Sequence, residues 1–251
     1  MARYFLQVAY DGTAFNGSQI QGEQDTVQLF IDKALSILLK KPTASFGASR
    51  TDAGVHAECN FYHFDAAIDD IQLFQYKMNA LLPQSLCVKA IIQSQNPEAN
   101  ARFDAVSRRY RYKIHFSKNP FLHHRSYFFP FALDLKILEQ TAEILKNYQD
   151  FETFCKRNHQ SFTTLCQIMD SHWETTQDGI EYVVTANRFL RGMVRGLVGT
   201  QLQVARGKYD VAEFEKRIQA KDCTLADFSV PGHGLYLEQI TFPENYFLRE
   251  K

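Results

Sequence analysis

Residues 48–57 read Ala-Ser-Arg-Thr-Asp-Ala-Gly-Val-His-Ala, which places a base, Arg50, two positions before an acid, Asp52. Short strands are predicted on both sides of this stretch, at residues 44–46 and near residues 57–64. Small residues surround the acid and the base, so few bulky side chains are available to bury them. We interpret the stretch as a loop that presents Asp52 at a functional site. Residue types alone leave a second interpretation open, in which Arg50 and Asp52 form a structural ion pair.

The rest of the first half alternates strands and helices. Residues 4–10 are rich in aromatic and β-branched side chains and end at an Asp-Gly turn signal, which predicts a strand. Thr26 is a predicted N-cap, and apolar residues recur at helical spacing after it as far as Leu38. A second helix is predicted over residues 71–82, where a proline follows, and a strand over residues 86–92.

The second half repeats this order of elements. Its predicted strands cover residues 106–116, 165–175, 180–186 and 234–242, and its predicted helices cover residues 133–145, 189–204 and 211–218. Alternation of this kind, with a hairpin around an Asp-Gly turn, is typical of ferredoxin-like α+β folds and predicts largely antiparallel sheets. The polar segment 93–100 is the predicted boundary, which divides the chain into residues 1–98 and 99–251.

Composition predicts a folded protein of the cytoplasm. Among 251 residues, 45% are hydrophobic and 22% are charged, which fits a globular chain. No window approaches the ~18 uninterrupted apolar residues that a transmembrane helix needs. The apolar run at the N-terminus is too short for a signal peptide. We therefore expect no membrane partner.

The five cysteines predict neither a disulfide framework nor a zinc site. Their number is odd, they are scattered, and no Cys-x-x-Cys occurs. Cys155, His159 and Cys166 are close together in the sequence, but their spacing matches no common metal site. We expect free thiols and no bound metal.

Charge is unevenly distributed although the formal net charge is zero. Residues 102–125 contain seven basic side chains and a single acid, Asp104, and residues 186–208 contain five basic side chains and no acid. Two such stripes on a neutral protein suggest one positive face that could bind a nucleic acid. The alternative is that these charges are simply solvated at strand edges.

The first basic stripe contains a strand in which cations alternate with aromatic rings. Alternation sends Arg109, Arg111 and Lys113 to one face, and the other face receives Arg108, Tyr110 and Tyr112. Cations can bind phosphates and rings can stack on bases, so this strand suits an RNA surface. The alternative is an edge strand whose tyrosines pack in the core.

The second basic stripe contains Arg188, Arg191 and Arg195 at intervals of three and four residues. That spacing predicts that they share one face of the helix over residues 189–204. Like charges at this spacing repel each other unless an acidic group meets them. RNA phosphates could do so, and so could Asp52.

Eight motifs in a fixed order resemble those of tRNA pseudouridine synthases of the TruA family. The resemblance extends over nearly the whole chain, and the octet Arg-Thr-Asp-Ala-Gly-Val-His-Ala is its most specific part. The matching stretches are residues 10–17, 26–28, 50–57, 79–83, 101–105, 109–112, 189–199 and 234–237.

The resemblance implies a fold and a substrate. The fold would be an α+β pseudouridine synthase fold, in which two ferredoxin-like (RRM-like) halves share a mainly antiparallel sheet with a central cleft. The first half would carry the aspartate loop, and the second half would carry the base-contacting tyrosine and the basic helix. The enzyme would be a homodimer that binds tRNA and isomerises uridines 38, 39 and 40 of the anticodon stem-loop, without a cofactor.

The resemblance also implies roles for individual residues. Asp52 would be the catalytic carboxylate and Arg50 its motif partner. Tyr110 would contact the target base, Arg195 would pair with the aspartate, and Leu235 would pack on the uracil. With the basic residues discussed above, the predicted substrate-binding residues are Tyr110, Leu235, Arg109, Arg111 and Arg191.

Three positions depart from the pattern of the family. Ser49 replaces the usual glycine before the octet, the tryptophan usual after Gly17 is missing, and Asn100 replaces a common histidine. If position 49 required a positive φ, serine would be strained there. These departures leave room for a paralogue with different target uridines.

Two further functions compete with that of a tRNA isomerase. One is an RNA-binding protein that has kept the fold without turnover, although the joint presence of Asp52, Arg50, Tyr110 and Arg195 argues against it. The second is a carboxylate-dependent hydrolase, which would usually need a second catalytic acid.

Overall fold

The computed structural model describes residues 1–157 and 162–247, and His159 of the Cys-His-Cys grouping considered above lies outside these residues. Contacts divide the chain into two compact units. The first unit consists of residues 1–106 together with the segment that begins at Leu237, and the second unit consists of residues 107–236. No helix in the described ranges has the length and apolar character needed to cross a bilayer.

The first unit has the βαββαβ order of a ferredoxin-like fold. Its elements are β1 (Ala2–Tyr10), α1 (Val27–Leu39), β2 (Phe46–Gly47), β3 (His56–Ala66), α2 (Ile71–Leu81) and β4 (Leu86–Gln93). The strand β1 lies between β4 and β3, β2 pairs with β3, and each of these pairs is antiparallel. The Thr26 hydroxyl accepts a hydrogen bond from Leu29 N–H, which confirms the predicted N-cap of α1.

The two faces of this sheet are covered differently because side chains alternate along a strand. On one face Tyr4 packs against Phe64, which stacks on Phe74 of α2. On the other face Phe5 and Phe61 contact aromatic rings from the last described segment of the chain. The contacting rings are Phe242 and Phe247 for both residues and Tyr246 for Phe5.

The aromatic cluster on the second face predicts a strong effect of Phe242→Ala on stability. The Phe242 ring lies 5.7 Å from Phe5, 5.1 Å from Phe61 and 4.9 Å from Tyr246 between centroids. Truncating a buried phenylalanine costs about 3–5 kcal/mol, and Phe242 is half-buried, so we expect a loss of about 2 kcal/mol. Urea unfolding should show a lower midpoint with an unchanged slope. Tyr76→Ala, on the exposed surface of α2, is the control, and an equal midpoint for both variants would contradict the prediction.

The second unit contains β5 (Ser107–His115), β6 (Tyr127–Phe128), α3 (Leu135–Leu145), β7 (Ile168–Thr175), β8 (Gly179–Ala186), α4 (Met193–Ala205) and α5 (Val211–Ala220). The strand β9 (Leu235–Thr241) begins in this unit, and from Leu237 onward it belongs to the first unit. The strand β8 lies between β5 and β7 in antiparallel pairs, and the short β6 runs parallel to β5.

The core of the second unit lies on the face of β5, β8 and β7 that carries Tyr112, Tyr182 and Trp173. All three rings are buried, and Trp173 Nε1 donates to Gln201 Oε1 of α4 over 3.0 Å. Tyr110 and Arg108 are also buried, whereas Arg109, Arg111 and Lys113 are half-exposed. The predicted alternation along β5 is therefore confirmed.

Most predicted elements agree with the structure to within one or two residues, and the α+β class with mainly antiparallel pairing is confirmed. Two predicted elements begin too early: the strand over residues 165–175, since β7 begins at Ile168, and the helix over residues 189–204, since α4 begins only at Met193. Gly192 has a φ of 72° and is the N-cap of this helix, so the backbone turns immediately before it. The prediction that Arg188, Arg191 and Arg195 share one helix face is therefore wrong. The boundary predicted between residues 98 and 99 stays a prediction.

Candidate active site

The loop between β2 and β3 is fixed to the neighbouring strand by hydrogen bonds. Ala48 N–H donates to Phe61 O over 2.8 Å. The side chain of Asn60, which is fully buried on β3, accepts from Ser49 N–H and donates to Ser49 O over 3.0 Å. One amide side chain thus satisfies both main-chain groups of Ser49, and it sets the direction in which the loop leaves the sheet.

The middle of the loop is held by buried hydroxyl groups. The Tyr10 and Thr51 hydroxyls are 2.9 Å apart, and Asn60 Nδ2 donates to the Tyr10 hydroxyl. Burial raises the pKa of Tyr10, so the phenol stays neutral, and either hydroxyl can donate in the bond between Tyr10 and Thr51. Thr51 N–H donates to Ser18 Oγ over 2.8 Å, and Ser18 N–H donates back to Thr51 O over 3.0 Å. The residue before Asp52 is therefore fixed through both its main chain and its side chain.

The segment that follows Asp52 turns back towards the end of β1. Val55 N–H donates to Asp52 O over 3.2 Å, and Gly54 has a φ of 78°, which favours glycine. Gly12 N–H donates to His56 Nδ1 over 3.2 Å. A Cβ atom on Gly12 would lie only 2.0 Å from Val55 O, so only glycine fits where these two backbone segments meet.

This close approach makes Gly12→Ala a test of the loop. The added methyl group would meet main-chain atoms that cannot rotate away, so Val55 and the residues before it must move. We expect a loss of about 2 kcal/mol in stability and, because Asp52 moves with the loop, a loss of activity of about tenfold or more. Urea unfolding and initial rates measure the two effects.

Gly22→Ala is the matched control for this substitution. Gly22 has a φ of 54° and nothing within 4 Å, so alanine there carries only the cost of a left-handed backbone, roughly 1–2 kcal/mol. Its activity should equal that of the wild type. An active Gly12→Ala enzyme would show that the position of Val55 does not control the loop.

Within this fixed loop, the Asp52 side chain is half-buried and Arg50 is exposed. In the described part of the chain Arg50 makes no ion pair, so the interpretation in which an Arg50–Asp52 ion pair pins the loop is wrong. Neutral hydrogen bonds from Asn60, Tyr10 and Ser18 hold the loop instead. These hydrogen bonds fix the loop without an Arg50–Asp52 ion pair. A loop that presents a reacting group must be fixed in this way.

Ser49 occupies its position without strain. The non-glycine residues with positive φ in the described chain are Lys40, His124, Lys221 and Asn245, and Ser49 is not among them. The serine in place of the family's usual glycine therefore has an ordinary backbone conformation.

In the second unit, Tyr110 and Arg195 are each held by neighbours. The Tyr110 ring is buried and packs edge-to-face on Phe189, with 5.0 Å between ring centroids and 82° between ring planes. Arg195 lies in the first turn of α4. Its Nε donates to Val230 O over 2.8 Å and one terminal nitrogen donates to Phe228 O over 3.3 Å. Main-chain oxygens of one short segment thus fix the direction of this guanidinium.

Leu235 begins β9 and is buried. It directly follows Gly234, where a Cβ atom would lie 2.7 Å from the ring of Tyr112. The Tyr112 hydroxyl donates to Pro231 O over 2.8 Å, so the ring also anchors the segment before Leu235. Burial raises the pKa of Tyr112 well above its ordinary value, which keeps this anchor protonated.

The exposed cations of β5 face acids on the neighbouring strands. Arg111 forms ion pairs with Glu174 of β7 and Glu181 of β8. Arg109 approaches Asp170 of β7 at 3.9 Å. These carboxylates reduce the positive charge on this face, and the sequence gives no sign of them because they come from strands more than 60 residues away.

The structure thus places Arg50 and Asp52 in the first unit, and Tyr110, Arg195 and Arg191 in the second. Sequence reasoning missed Asn60 and Ser18, which hold the main chain of Ser49 and Thr51 beside Arg50 and Asp52. It also missed the carbonyl groups of residues 228 and 230, which position Arg195. Among the described residues, no three His, Cys, Asp or Glu side chains are grouped so that they could hold a metal ion.

Comparison with known proteins gives consistent matches. Residues 148–243 match a protein family described as tRNA pseudouridine synthase. A tRNA pseudouridine synthase A from Parabacteroides distasonis is 42% identical over 249 residues, which cover 98% of each chain. The protein of that name from Bacteroides fragilis is 41% identical over 98% of each chain. A further one from Staphylococcus aureus is 33% identical over 99% of this chain and 94% of its own.

Proposed function

This chain belongs to the TruA family of tRNA pseudouridine synthases, and we propose that it isomerises uridines 38, 39 and 40 of the tRNA anticodon stem-loop with Asp52 as catalytic carboxylate. As a member of this family, it is an isomerase. The target positions and the role of Asp52 are our proposal.

The role that we propose for Asp52 is supported by the hydrogen bonds that fix the residues around it. A half-buried carboxylate lies on a loop in which its neighbours are fixed by Asn60, Tyr10, Ser18 and His56. Those bonds come from groups other than the carboxylate itself. Preorganisation of this kind supports a group that must meet its substrate in one geometry.

The reaction needs no oxidant and no energy source. The bond between N1 of uracil and C1′ of ribose breaks, the base turns, and C5 bonds to C1′. The proton that C5 loses is balanced by the proton that N1 gains. Asp52 could add to C6, attack C1′ or remove the C2′ proton. Each route requires an ionised carboxylate, which a nearby cation favours.

The remaining roles follow from membership of the family. We propose that Tyr110 contacts the target base, that Leu235 packs on the uracil, and that Arg195 pairs with Asp52. Arg50, as the exposed motif partner, would fill the gap left when the base leaves its stack, a step that costs a few kcal/mol.

We also propose that Arg109, Arg111 and Arg191 bind the phosphates of tRNA. Arg111 would have to exchange its ion pairs with Glu174 and Glu181 for a phosphate, so its contribution should be small. The enzyme is proposed to act as a homodimer in the cytoplasm.

Mapping pseudouridine in unmodified tRNA after incubation with the purified protein tests the proposed targets. We expect new pseudouridine at positions 38, 39 or 40 of tRNAs that carry uridine there. Modification confined to other positions would contradict the target assignment while leaving the class of enzyme unchanged.

A further inference from the structure

A groove in the first unit lies beside the Asp52 loop. Its volume is about 170 Å³, and Ser49 and Arg50 form part of its wall. Arg102 and Phe103 line it as well. Ligand pockets for whole small molecules measure about 300–1,000 Å³, so this groove is too small to enclose a complete ligand and can take only part of a larger one, such as one unit of a polymer that extends beyond it.

The floor of the groove is rigid. Gln28 Nε2 donates to Ser45 O over 2.6 Å, and its Oε1 accepts from Ile20 N–H over 3.3 Å. The Tyr62 hydroxyl donates to Ser18 O, and burial raises the pKa of this phenol well above its ordinary value. Hydrogen bonds within the protein therefore fix the side chains of Gln28 and Tyr62, so this part of the groove keeps one shape.

The charge of the groove favours an anion. Two guanidinium groups, Arg50 and Arg102, line it, and none of the described residues that line it is acidic. The acid nearest in sequence, Asp104, accepts from Asn100 N–H and from the Tyr246 hydroxyl, each over 2.8 Å.

Two large aromatic rings at the groove are largely exposed, and one of them, Phe46, stacks on His63 with 5.2 Å between ring centroids. Phe103 is 77% exposed and Phe46 is 58% exposed. The Arg102 guanidinium carbon lies 5.5 Å from the centre of the Phe103 ring, so a cation and a ring face are presented together. Exposed rings beside cations are how proteins bind unstacked nucleotides, because the ring stacks on the base and the cation meets the phosphate.

We propose that this groove binds one unstacked nucleotide of the RNA strand that carries the target uridine, outside the position where the reacting base is bound. Phe103 stacks on its base, and Arg102 meets its phosphate. The proposal rests on the proposed function, since it assumes an RNA substrate next to Asp52. It makes Phe103 and Arg102 residues that hold the strand beside the target uridine without reading its sequence.

The first test separates binding from chemistry in the intact enzyme. Phe103→Ala should raise KM for an anticodon stem-loop RNA by about tenfold with kcat little changed, and Phe103→Trp should restore the wild-type KM. Tyr76→Ala, which removes another exposed ring of the same unit, is the control and should change neither constant. A wild-type KM for Phe103→Ala would overturn the proposal.

The second test detects the unstacked base directly and needs no turnover. Stem-loop RNAs carry 2-aminopurine on either side of the target uridine and are mixed with Asp52→Ala enzyme. Fluorescence at one position should rise on binding, because the base leaves its stack on neighbouring bases, and the rise should be absent when the enzyme also carries Phe103→Ala. A rise that survives the loss of Phe103, or no rise at either position, would overturn the proposal.

The aminopurine result stands even if the wild type forms no pseudouridine, so failure of this inference is distinguishable from failure of the proposed function.

The third test measures how the affinity for RNA depends on salt concentration. Arg102→Ala should reduce the slope of log affinity against log salt by about 0.7, the value for one phosphate of a single strand. Lys77→Ala on α2 is its control, and an unchanged slope for Arg102→Ala would contradict a phosphate contact.

Discussion

Asp52→Ala is expected to abolish pseudouridine formation while leaving tRNA binding within a few-fold of the wild type. The loop around Asp52 is held by neutral hydrogen bonds to Asn60, Tyr10 and Ser18, all of which Asp52→Ala retains. Loss of a group that acts directly on the substrate lowers kcat by about 10⁴-fold or more. Release of tritium from tRNA labelled at C5 of uridine measures the rate, and filter binding measures the affinity.

Two further variants test whether the loss of activity is due to the charge of the Asp52 carboxylate. Asp52→Asn keeps the shape of the side chain without its charge, so it should be as inactive as alanine. Asp69→Ala removes an exposed acid of the same unit, next to α2, and should leave the rate unchanged. Tritium release by Asp52→Asn at even a hundredth of the wild-type rate would show that the carboxylate is not the reacting group.

Arg195→Ala is expected to lower kcat by about 10²–10³-fold, the usual effect of removing one preorganised charged group from an active site. Val230 O and Phe228 O fix the guanidinium, so its direction does not depend on substrate. Arg195→Lys keeps the charge but cannot reach both oxygens with one ammonium group in the same geometry. It should therefore recover only part of the rate, with KM changed less than kcat in both variants.

Arg217 provides the matched control for a purely structural arginine. Its Nη1 also donates to a main-chain oxygen, that of Leu225, over 3.0 Å, and its Nε donates to Glu213. Arg217→Lys should lower the urea midpoint about as much as Arg195→Lys does, without lowering kcat. If both lysine variants lose the same fraction of activity, Arg195 acts only by holding the segment at residues 228–230.

Local signals explain which parts of the fold could be predicted. Thr26 is identifiable as an N-cap because its hydroxyl bonds only three residues ahead, within the window that the sequence displays. The predicted start of α4 is too early because Phe189 and Leu190 continue the apolar pattern up to Gly192. The left-handed backbone of Gly192 is not visible in hydrophobic periodicity, so the pattern extends the helix over residues 189–192, which precede it.

Sequence motifs predict the residues of the candidate site that lie within them. They do not predict the residues whose role depends on contacts between distant parts of the chain. Asp52 and Arg50 stand out in a run of small residues. Asn60 does not, since its role depends on the register that brings β3 beside the loop. The acids that meet Arg111 come from β7 and β8, and only the strand pairing reveals them. An isolated sequence contains neither kind of contact.

We propose that the Asp52 carboxylate carries out the isomerisation in tRNA. The most direct measurement is a pseudouridine map of tRNA from cells that lack this protein and are complemented with the wild type or with Asp52→Asn at equal expression. We predict that pseudouridine at positions 38, 39 and 40 disappears without the protein, returns with the wild type and stays absent with Asp52→Asn. Its return with Asp52→Asn would contradict the claim.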